Sequence, residues 1–392
     1  MRNVKVWLAA AAMLAGVCGS GVLPASAQSG FYQVSKADLG GKPGTLIRAE
    51  RIQDPPVGAV AYRVLYRSTG LSGEPIAVSG IVMAPVGPPP AAGRPVIAWA
   101  HPTTGVVPAC APSLRPEPWT GIQGHLEMIG RGFVIVATDY PGLGAGTVHP
   151  YLVGESEARA VLDSVRAAEQ MEGIGASRYF AVWGHSQGGH AALYTGILAS
   201  SYAPDLQITG IAAAAPATEL ATLMEDDINS ATGKILTAMT LYSWGHVYGA
   251  PVDKVVQPQM QAEVRRVGEM CGGTVLGAIE LELAERGIQG GFLTVNDLPK
   301  VEPWRSLTAR NTPGPTPHGL PVFIAQGTAD PVVRPEVTRA YMAMLCKAGI
   351  HVTFMSLPGV THTFAGEKSA ATAVSWMADR FSGPAPRNDC VR

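Results

Sequence analysis

Short apolar segments alternate with longer amphipathic ones over most of the chain, and this order limits the fold more than any other feature. Apolar runs bounded by Gly or Pro predict strands, and a 3.6-residue period predicts helices. The predicted strands are residues 60–68, 75–84, 94–100, 132–138, 178–183, 208–215, 321–325 and 351–357. The predicted helices are residues 155–172, 187–200, 335–348 and 367–381. Strands joined by helices predict an α/β fold, with a mostly parallel sheet covered by helices on both faces.

Residues 217–319 interrupt this alternation. Helices are predicted there at residues 219–229, 233–248, 258–271 and 274–286, without a convincing strand. A Pro-rich run at residues 312–317 then returns the chain to the sheet. We therefore expect a helical cap, or lid, at residues 217–319, inserted into a core formed by residues 28–216 and 320–392.

The first 27 residues have the pattern of a secretory signal peptide. Arg2 and Lys5 precede an apolar run at residues 6–17, and small residues at 25–27 are typical of a cleavage site. No later apolar run is long enough to span a membrane. We expect a protein secreted to the periplasm or the extracellular space after this segment is removed.

Composition excludes several classes of function. The chain is 47% hydrophobic, which is too apolar for a disordered protein. Charged residues make up only 15% and the net charge is −1, which argues against a nucleic-acid partner. We expect a globular monomer.

The cysteines agree with an oxidising compartment. One of the five, Cys18, lies in the predicted signal, and Val17 before it disfavours lipid attachment, which requires a small residue there. The other four are Cys110, Cys271, Cys346 and Cys390. An even number in a secreted chain predicts two disulfides, with three pairings open. The absence of a Cys-x-x-Cys motif argues against redox and most zinc sites.

Gly184-His185-Ser186-Gln187-Gly188 lies between a predicted strand and a predicted helix. A G-x-S-x-G motif in this context is typical of a sharp turn that presents a nucleophilic serine, and the glycines leave room for it. The helix N-terminus behind the serine favours a developing negative charge. Elsewhere such a match is an ordinary turn, but here the order of elements favours Ser186 as a nucleophile.

A serine nucleophile needs a base and an orienting acid, in the chain order Ser, Asp, His for this type of motif. Asp330 follows the predicted strand 321–325, and His362 lies in a loop after strand 351–357. Carboxyl ends of parallel strands meet at one edge of a sheet, where α/β sites collect. We predict Asp330 and His362 as the partners of Ser186, and Glu219 is the one serious substitute for Asp330.

Other polar residues near the motif are interpreted as structural. His185 adjoins the serine but is expected on the other side of the turn, and His190 lies on the following helix. Asp139 precedes Ser186 in the chain, so its order is wrong for the acid. Aromatic residues of the predicted cap are expected to be core rather than the lining of an acyl tunnel: Tyr242, Trp244 and Tyr248.

Acyl transfer also needs two N–H donors for the oxyanion. The first is expected from Gln187, directly after the nucleophile. The second is expected from the loop after strand 94–100, which reads His101-Pro102-Thr103-Thr104-Gly105. We assign it to Thr103, with Thr104 as the alternative.

Several segments together resemble the secretory lipase family of the Candida antarctica lipase A type. They are Phe31-Tyr32, Pro43-Gly44-Thr45-Leu46-Ile47-Arg48, Tyr62-Arg63-Val64-Leu65-Tyr66-Arg67-Ser68-Thr69, Ser79-Gly80-Ile81-Val82, Cys110-Ala111-Pro112-Ser113, residues 132–140 and residues 184–189. The resemblance implies an α/β-hydrolase core, an inserted helical lid and carboxylester hydrolysis. It also implies the pairings Cys110–Cys271 and Cys346–Cys390.

These features predict a secreted serine carboxylester hydrolase without metal or organic cofactor. The substrate is expected to be a small-molecule ester or a lipid, with contact to a lipid interface in the second case. Lipase and esterase both stay open. The alternatives are a peptidase or acyl-peptide hydrolase on the same core, and a non-catalytic binding protein of this fold.

Overall fold

The computed structural model describes residues 30–228, 230–273, 275–288, 290–383 and 385–390. The predicted signal peptide lies outside the described residues. Nine strands of the described chain form a single sheet. They are β1 Leu46–Arg51, β2 Ala59–Thr69, β3 Pro75–Pro85, β4 Arg94–Ala100, β5 Val134–Thr138, β6 Ala176–His185, β7 Gln207–Ala214, β8 Val322–Gly327 and β9 Val352–Leu357.

Helices connect the strands from β4 onward and fill the segment between β7 and β8. They are α1 His125–Gly130, α2 Gly154–Glu169, α3 Gln187–Tyr202, α4 Leu220–Asp227, α5 Ala231–Tyr248, α6 Val252–Val255, α7 Gln261–Gly268, α8 Val275–Glu285, α9 Trp304–Asn311, α10 Pro335–Lys347 and α11 His362–Ser382.

The strand order in the sheet is β1-β2-β3-β5-β4-β6-β7-β8-β9. The strands β1, β2, β3 and β5 pair antiparallel, and every pairing from β5 to β9 is parallel. The prediction of an α/β fold with a mostly parallel sheet is confirmed. Because six neighbouring strands run in one direction, the loops that follow β4, β6, β8 and β9 all emerge at the same edge.

Both faces of the sheet are covered, which is why its central strands are apolar at consecutive positions. In β6, Phe180 and Val182 pack on the core beneath α2, α3 and α10, while Ala181 and Trp183 pack on the core beneath α1 and α11. Trp99 of β4 is paired with Trp183 in register and shares that second core. The carboxyl edge is thus anchored on two hydrophobic layers.

The segment between β7 and β8 has a hydrophobic core of its own. Trp244 of α5 and Trp304 of α9 are fully buried in it, with their rings stacked at 6.2 Å between centroids. Tyr151 and Leu152 from the loop before α2 also belong to this cluster. Within its described residues, the only β pairing is an isolated bridge between Val256 and Leu293.

Several elements differ from the sequence prediction: helices α1, α6 and α9 and strand β1 were not predicted, and α11 begins earlier than expected. The strand β1 was not predicted, because its sequence LIRAER is charged and partly exposed rather than alternating. The helix α11 begins at His362 and not at residue 367, so His362 is the first residue of a helix and not a loop residue. Thr363 and Gly366 in its first turn are weak helix formers, which hid the start from sequence.

Both disulfides form with the pairing that the resemblance implies. Cys110–Cys271 joins the loop after β4 to the segment between β7 and β8. Cys346–Cys390 joins the end of α10 to the C-terminal residues.

Candidate active site

Ser186 sits at a strained turn between β6 and α3. Its backbone has φ 58° and ψ −119°, a conformation that residues with a Cβ rarely adopt. The flanking glycines permit this geometry by close approach. A Cβ on Gly184 would lie 2.0 Å from the Gly188 carbonyl oxygen, and one on Gly188 would lie 1.9 Å from that of Ala100. The turn is therefore pressed against the end of β4, and the serine side chain is left at the sheet edge.

The structure brings Ser186, His362 and Asp330 into one hydrogen-bonded chain. Ser186 Oγ lies 2.8 Å from Nε2 of His362, and Nδ1 of the same ring lies 2.8 Å from Oδ2 of Asp330. A carboxylate accepts only, so Nδ1 carries the proton and Nε2 accepts from the serine hydroxyl. The histidine is thus held in the tautomer that can take a proton from Ser186.

Asp330 is buried and its orientation is fixed by the loop that follows β8. The backbone N–H groups of Val332 and Val333 donate to Oδ1 at 2.9 Å each, and Gln326 Nε2 donates to Oδ2 at 3.2 Å. These donors satisfy the Asp330 carboxylate without water. Glu219, the substitute considered from sequence, makes no side-chain hydrogen bond or ion pair within the described residues.

His185 and Asp139, which are interpreted as structural from the sequence, are buried and hydrogen-bonded to other parts of the chain. His185 Nε2 donates to the His362 carbonyl oxygen at 3.0 Å, and burial lowers the pKa of His185 to about 3, with a smaller contribution from nearby His362. Asp139 is buried and accepts from the Ser113 backbone N–H at 2.9 Å and from Ser79 Oγ at 2.6 Å. Burial raises the pKa of Asp139.

A buried polar cluster behind the serine turn was missed from sequence. Glu157 of α2 is fully buried; its Oε1 accepts from Gln187 Nε2 at 2.8 Å and its Oε2 from His190 Nδ1 at 2.7 Å. Gln187 Nε2 also donates to His149 Nε2 at 2.8 Å. The cluster fixes the side chain of the residue that follows the serine. Its one sequence signal is an acidic residue on the apolar face of α2.

The two threonines of the loop after β4 face different surroundings. Thr103 Oγ1 is hydrogen-bonded to the Tyr151 hydroxyl at 2.8 Å. Thr104 is 3% exposed, and its hydroxyl has no hydrogen-bond partner in the described chain. The backbone carbonyl of Thr104 accepts from Gly272 N at 2.8 Å, which ties this loop to the segment between β7 and β8.

A small cavity of about 50 Å³ opens at Ser186 and Gln187. Its other walls are mostly apolar, with Tyr151 and Leu152 on one side and helices α4 and α5 above. The remaining lining residues are Ala217, Leu220, Leu223, Met224, Gly233, Leu236, Thr237, Thr240, Val332 and Val333. Trp244 does not line this cavity; it is core, as expected from sequence.

Comparison with known proteins places the chain in a family. The sequence profile of the secretory lipases matches residues 125–389. The chain belongs to the secretory lipase family. It is a carboxylic ester hydrolase with an α/β-hydrolase fold, so the family that the sequence motifs resemble is the right one.

Individual relatives agree with this family. Lipase A of Arthroderma benhamiae is 25% identical over 388 residues, covering 92% of this chain and 80% of that protein. A Mycobacterium tuberculosis protein named as a probable inactive lipase is 25% identical over 362 residues, covering 87% and 79%. The crystal structure of Candida antarctica lipase A superimposes with a TM-score of 0.75 at 18% identity, covering 92% and 87%.

The described residues also bear on membrane association. None of their helices combines the length and the apolar character that crossing a bilayer requires.

Proposed function

We propose that this secretory lipase family member cleaves esters through an acyl-enzyme on Ser186, with His362 as general base and Asp330 as the orienting acid. The observation that carries the proposal is the continuous hydrogen-bonded chain from Ser186 Oγ through the His362 ring to Asp330. Each member follows a different parallel strand of the same sheet, in the chain order that this fold uses.

The geometry supports the following sequence of steps. His362 Nε2 takes the hydroxyl proton as Ser186 Oγ attacks the ester carbonyl carbon, and the resulting imidazolium is stabilised by Asp330. His362 then gives that proton to the leaving alkoxide as the C–O bond breaks. Water activated by His362 attacks the acyl-enzyme, which releases the carboxylic acid and restores Ser186.

The oxyanion of the tetrahedral intermediate is assigned to the backbone N–H groups of Gln187 and Thr103. The N–H of Gln187, at the first position of α3, has no partner within the helix. Thr103 is hydrogen-bonded to Tyr151, which lines the cavity at Ser186, and this supports Thr103 over Thr104. The close approach of Gly188 to Ala100 puts the serine turn beside the end of β4, where the loop with Thr103 begins, and this supports the pairing of the two donors.

The small apolar cavity at Ser186 is the natural place for the acyl group. Helices α4 and α5 form its roof, which supports residues 217–319 as a cap over the site. Because the cavity holds only about 50 Å³, we propose short acyl chains of the butyrate class as the best substrates. Long chains would require α4 and α5 to move.

Secretion and assembly are part of the proposal. Two disulfides are consistent with an oxidising compartment, which supports removal of residues 1–27 during export. We propose a monomer, which size-exclusion chromatography tests.

The decisive experiment is Ser186→Ala, assayed with p-nitrophenyl butyrate and a fluorophosphonate probe. Both hydrolysis and labelling are expected to be lost, because no other group can form the acyl-enzyme. Ser200→Ala, at an exposed position near the end of the same helix, is the matched control. Retained labelling in Ser186→Ala would show that the nucleophile is elsewhere. A wild-type protein that the probe does not label would favour a non-catalytic role, and cleavage of p-nitrobutyranilide would favour a peptidase.

A further inference from the structure

A second and larger cavity of about 490 Å³ lies on the other side of the loop after β4. Thr104 and Arg115 line it from that loop region, and Thr363 and Phe364 line it from the first turn of α11. These last two residues directly follow His362. We call this space the Arg115 cavity.

Arg115 is a half-buried cation without a partner. Its guanidinium group makes no hydrogen bond or ion pair with any described residue, although five N–H donors are available. Asp139, a buried acid that also lines this cavity, already accepts from Ser113 and Ser79. Burial lowers the pKa of Arg115, an effect that the charge of Asp139 opposes, and a guanidinium group stays charged in proteins. A partly buried cation without a partner costs folding free energy unless a ligand or water occupies its hydrogen-bond donors.

Thr104 gives a second, independent observation. Its hydroxyl is buried and lacks a hydrogen-bond partner in the part of the chain that the structure describes, and the residue lines the same cavity. Buried hydroxyl groups nearly always have a partner. The wall of this cavity therefore holds a buried hydroxyl group without a protein partner, beside a cation that has none either among the described residues.

The position of the cavity assigns it to one half of the substrate. His362 must give its proton to the leaving oxygen, so the alcohol half leaves on the side of His362. The cavity begins at Thr363 and Phe364 on that side, whereas the small apolar cavity at Ser186 takes the acyl half in the proposed function. The exposed ring of Phe364 offers an apolar wall at the rim.

Resting on the proposed function, we propose that the Arg115 cavity binds the alcohol half of the ester and that Arg115 pairs with a carboxylate on it. The preferred substrates are then esters of hydroxy acids with an apolar or aromatic body. Two acids line the cavity, but Asp139 accepts from Ser113 and Ser79, exposed Glu367 faces Lys368 at 3.4 Å, and neither forms an ion pair with Arg115. A carboxylate on the bound alcohol would supply the partner that Arg115 lacks.

A matched pair of substrates tests this inference: 4-butanoyloxybenzoate and 4-butanoyloxybenzamide. They share the acyl group and differ in one charge on the leaving group. Wild type is expected to have the higher kcat/KM for the carboxylate, and Arg115→Gln should lower that ratio about tenfold, as a charged hydrogen bond requires. Arg115→Lys should keep part of the preference, since it retains the charge without the planar fork.

Arg131→Gln is the control, because this exposed arginine pairs only with Glu127 on the surface of α1. Equal inhibition by 4-hydroxybenzoate and 4-hydroxybenzamide in wild type would overturn the inference. So would a ratio that Arg115→Gln leaves unchanged, or an equal fall for both substrates, which would indicate a structural role. Hydrolysis of the benzamide ester in wild type, lost in Ser186→Ala, would still support the proposed function in each of these cases.

Discussion

Two buried carboxylate–histidine pairs lie near the same edge of the sheet, and they differ in a single partner. In one, Asp330 contacts Nδ1 of His362 at 2.8 Å; in the other, Glu157 contacts Nδ1 of His190 at 2.7 Å. Nε2 of His362 faces the hydroxyl of Ser186, whereas Nε2 of His190 lies 2.7 Å from the Asn311 carbonyl oxygen. The two pairs therefore differ in the group at Nε2, which is a hydroxyl beside His362 and a carbonyl oxygen beside His190.

A carbonyl oxygen can only accept, so Nε2 of His190 faces no proton that it could take as a base. A hydroxyl can donate, so His362 is free to accept a proton from Ser186. The Glu157–His190 pair is also fully buried and ties α2 and α3 to the end of α9. A carboxylate beside a histidine therefore does not identify a catalytic pair; what lies at the far nitrogen does.

The largest expected effect is on catalysis in the first pair. Asp330→Asn should lower kcat for p-nitrophenyl butyrate by about 10⁴-fold, because an amide in place of the carboxylate stabilises the wrong tautomer of His362. The melting temperature should change little. Glu219→Gln is the matched control and should keep the wild-type rate. A normal rate in Asp330→Asn together with a slow Glu219→Gln variant would move the acid to Glu219.

A substitution in the second pair should lower the free energy of unfolding more than it lowers kcat. Glu157→Gln leaves one oxygen where the carboxylate has two, so the amide N–H group faces either Gln187 and Leu152 or His190 Nδ1, and the second orientation requires the ring proton to lie on Nε2. Removing the carboxylate from this fully buried cluster is expected to cost about 3 kcal/mol of unfolding free energy. Urea unfolding measures it, with the exposed Glu172→Gln as control.

The comparison of the two pairs would fail if Glu157→Gln kept wild-type stability, or if its folded fraction lost as much kcat as Asp330→Asn does. In the second case the Glu157 cluster would have to be counted with the reacting groups, through its contact with Gln187.

The sequence was sufficient to predict where Ser186, Asp330 and His362 lie, because each follows the end of a predicted strand at the same edge of the sheet. Ser186 is predicted from its motif, which lies between a strand and a helix. Asp330 and His362 are predicted because each follows a strand and because they come in the chain order Ser, Asp, His. The helical start of α11 was not predictable, since Thr363 and Gly366 disfavour helix and only packing against the sheet offsets this.

The polar residues of the second pair and of the Arg115 cavity were beyond sequence reasoning for a different reason. Glu157 looks like any acidic residue in a first helical turn, and its burial follows from three other elements that meet there. Arg115 lies in an irregular loop, where no period indicates which side chain faces a cavity. Contacts between distant segments decide these roles, and a single sequence does not show them.

A third buried histidine sharpens the comparison, since it has no carboxylate at all. His185 Nε2 donates to the His362 carbonyl oxygen, and Nδ1 of the same ring lies 3.3 Å from Nε2 of Gln123. Burial holds the pKa of His185 at about 3, compared with 6.5 for an unperturbed histidine. This imidazole is neutral because burial outweighs the smaller opposing effects of the His362 carbonyl and the Asp330 charge.

The neutral state has a measurable linkage to stability. Between pH 6.5 and about 3, the unfolded chain binds a proton at His185 that the folded chain does not, so this contribution is present above pH 6.5 and is lost as the pH falls. From pH 7 to pH 5, the unfolding free energy of wild type relative to His185→Gln should fall by about 2 kcal/mol. Urea unfolding of both proteins at the two pH values measures the difference. A difference for His185→Gln that stays constant with pH would mean that the ring is charged in the folded protein, and the contrast between the histidines would then rest on hydrogen bonds alone.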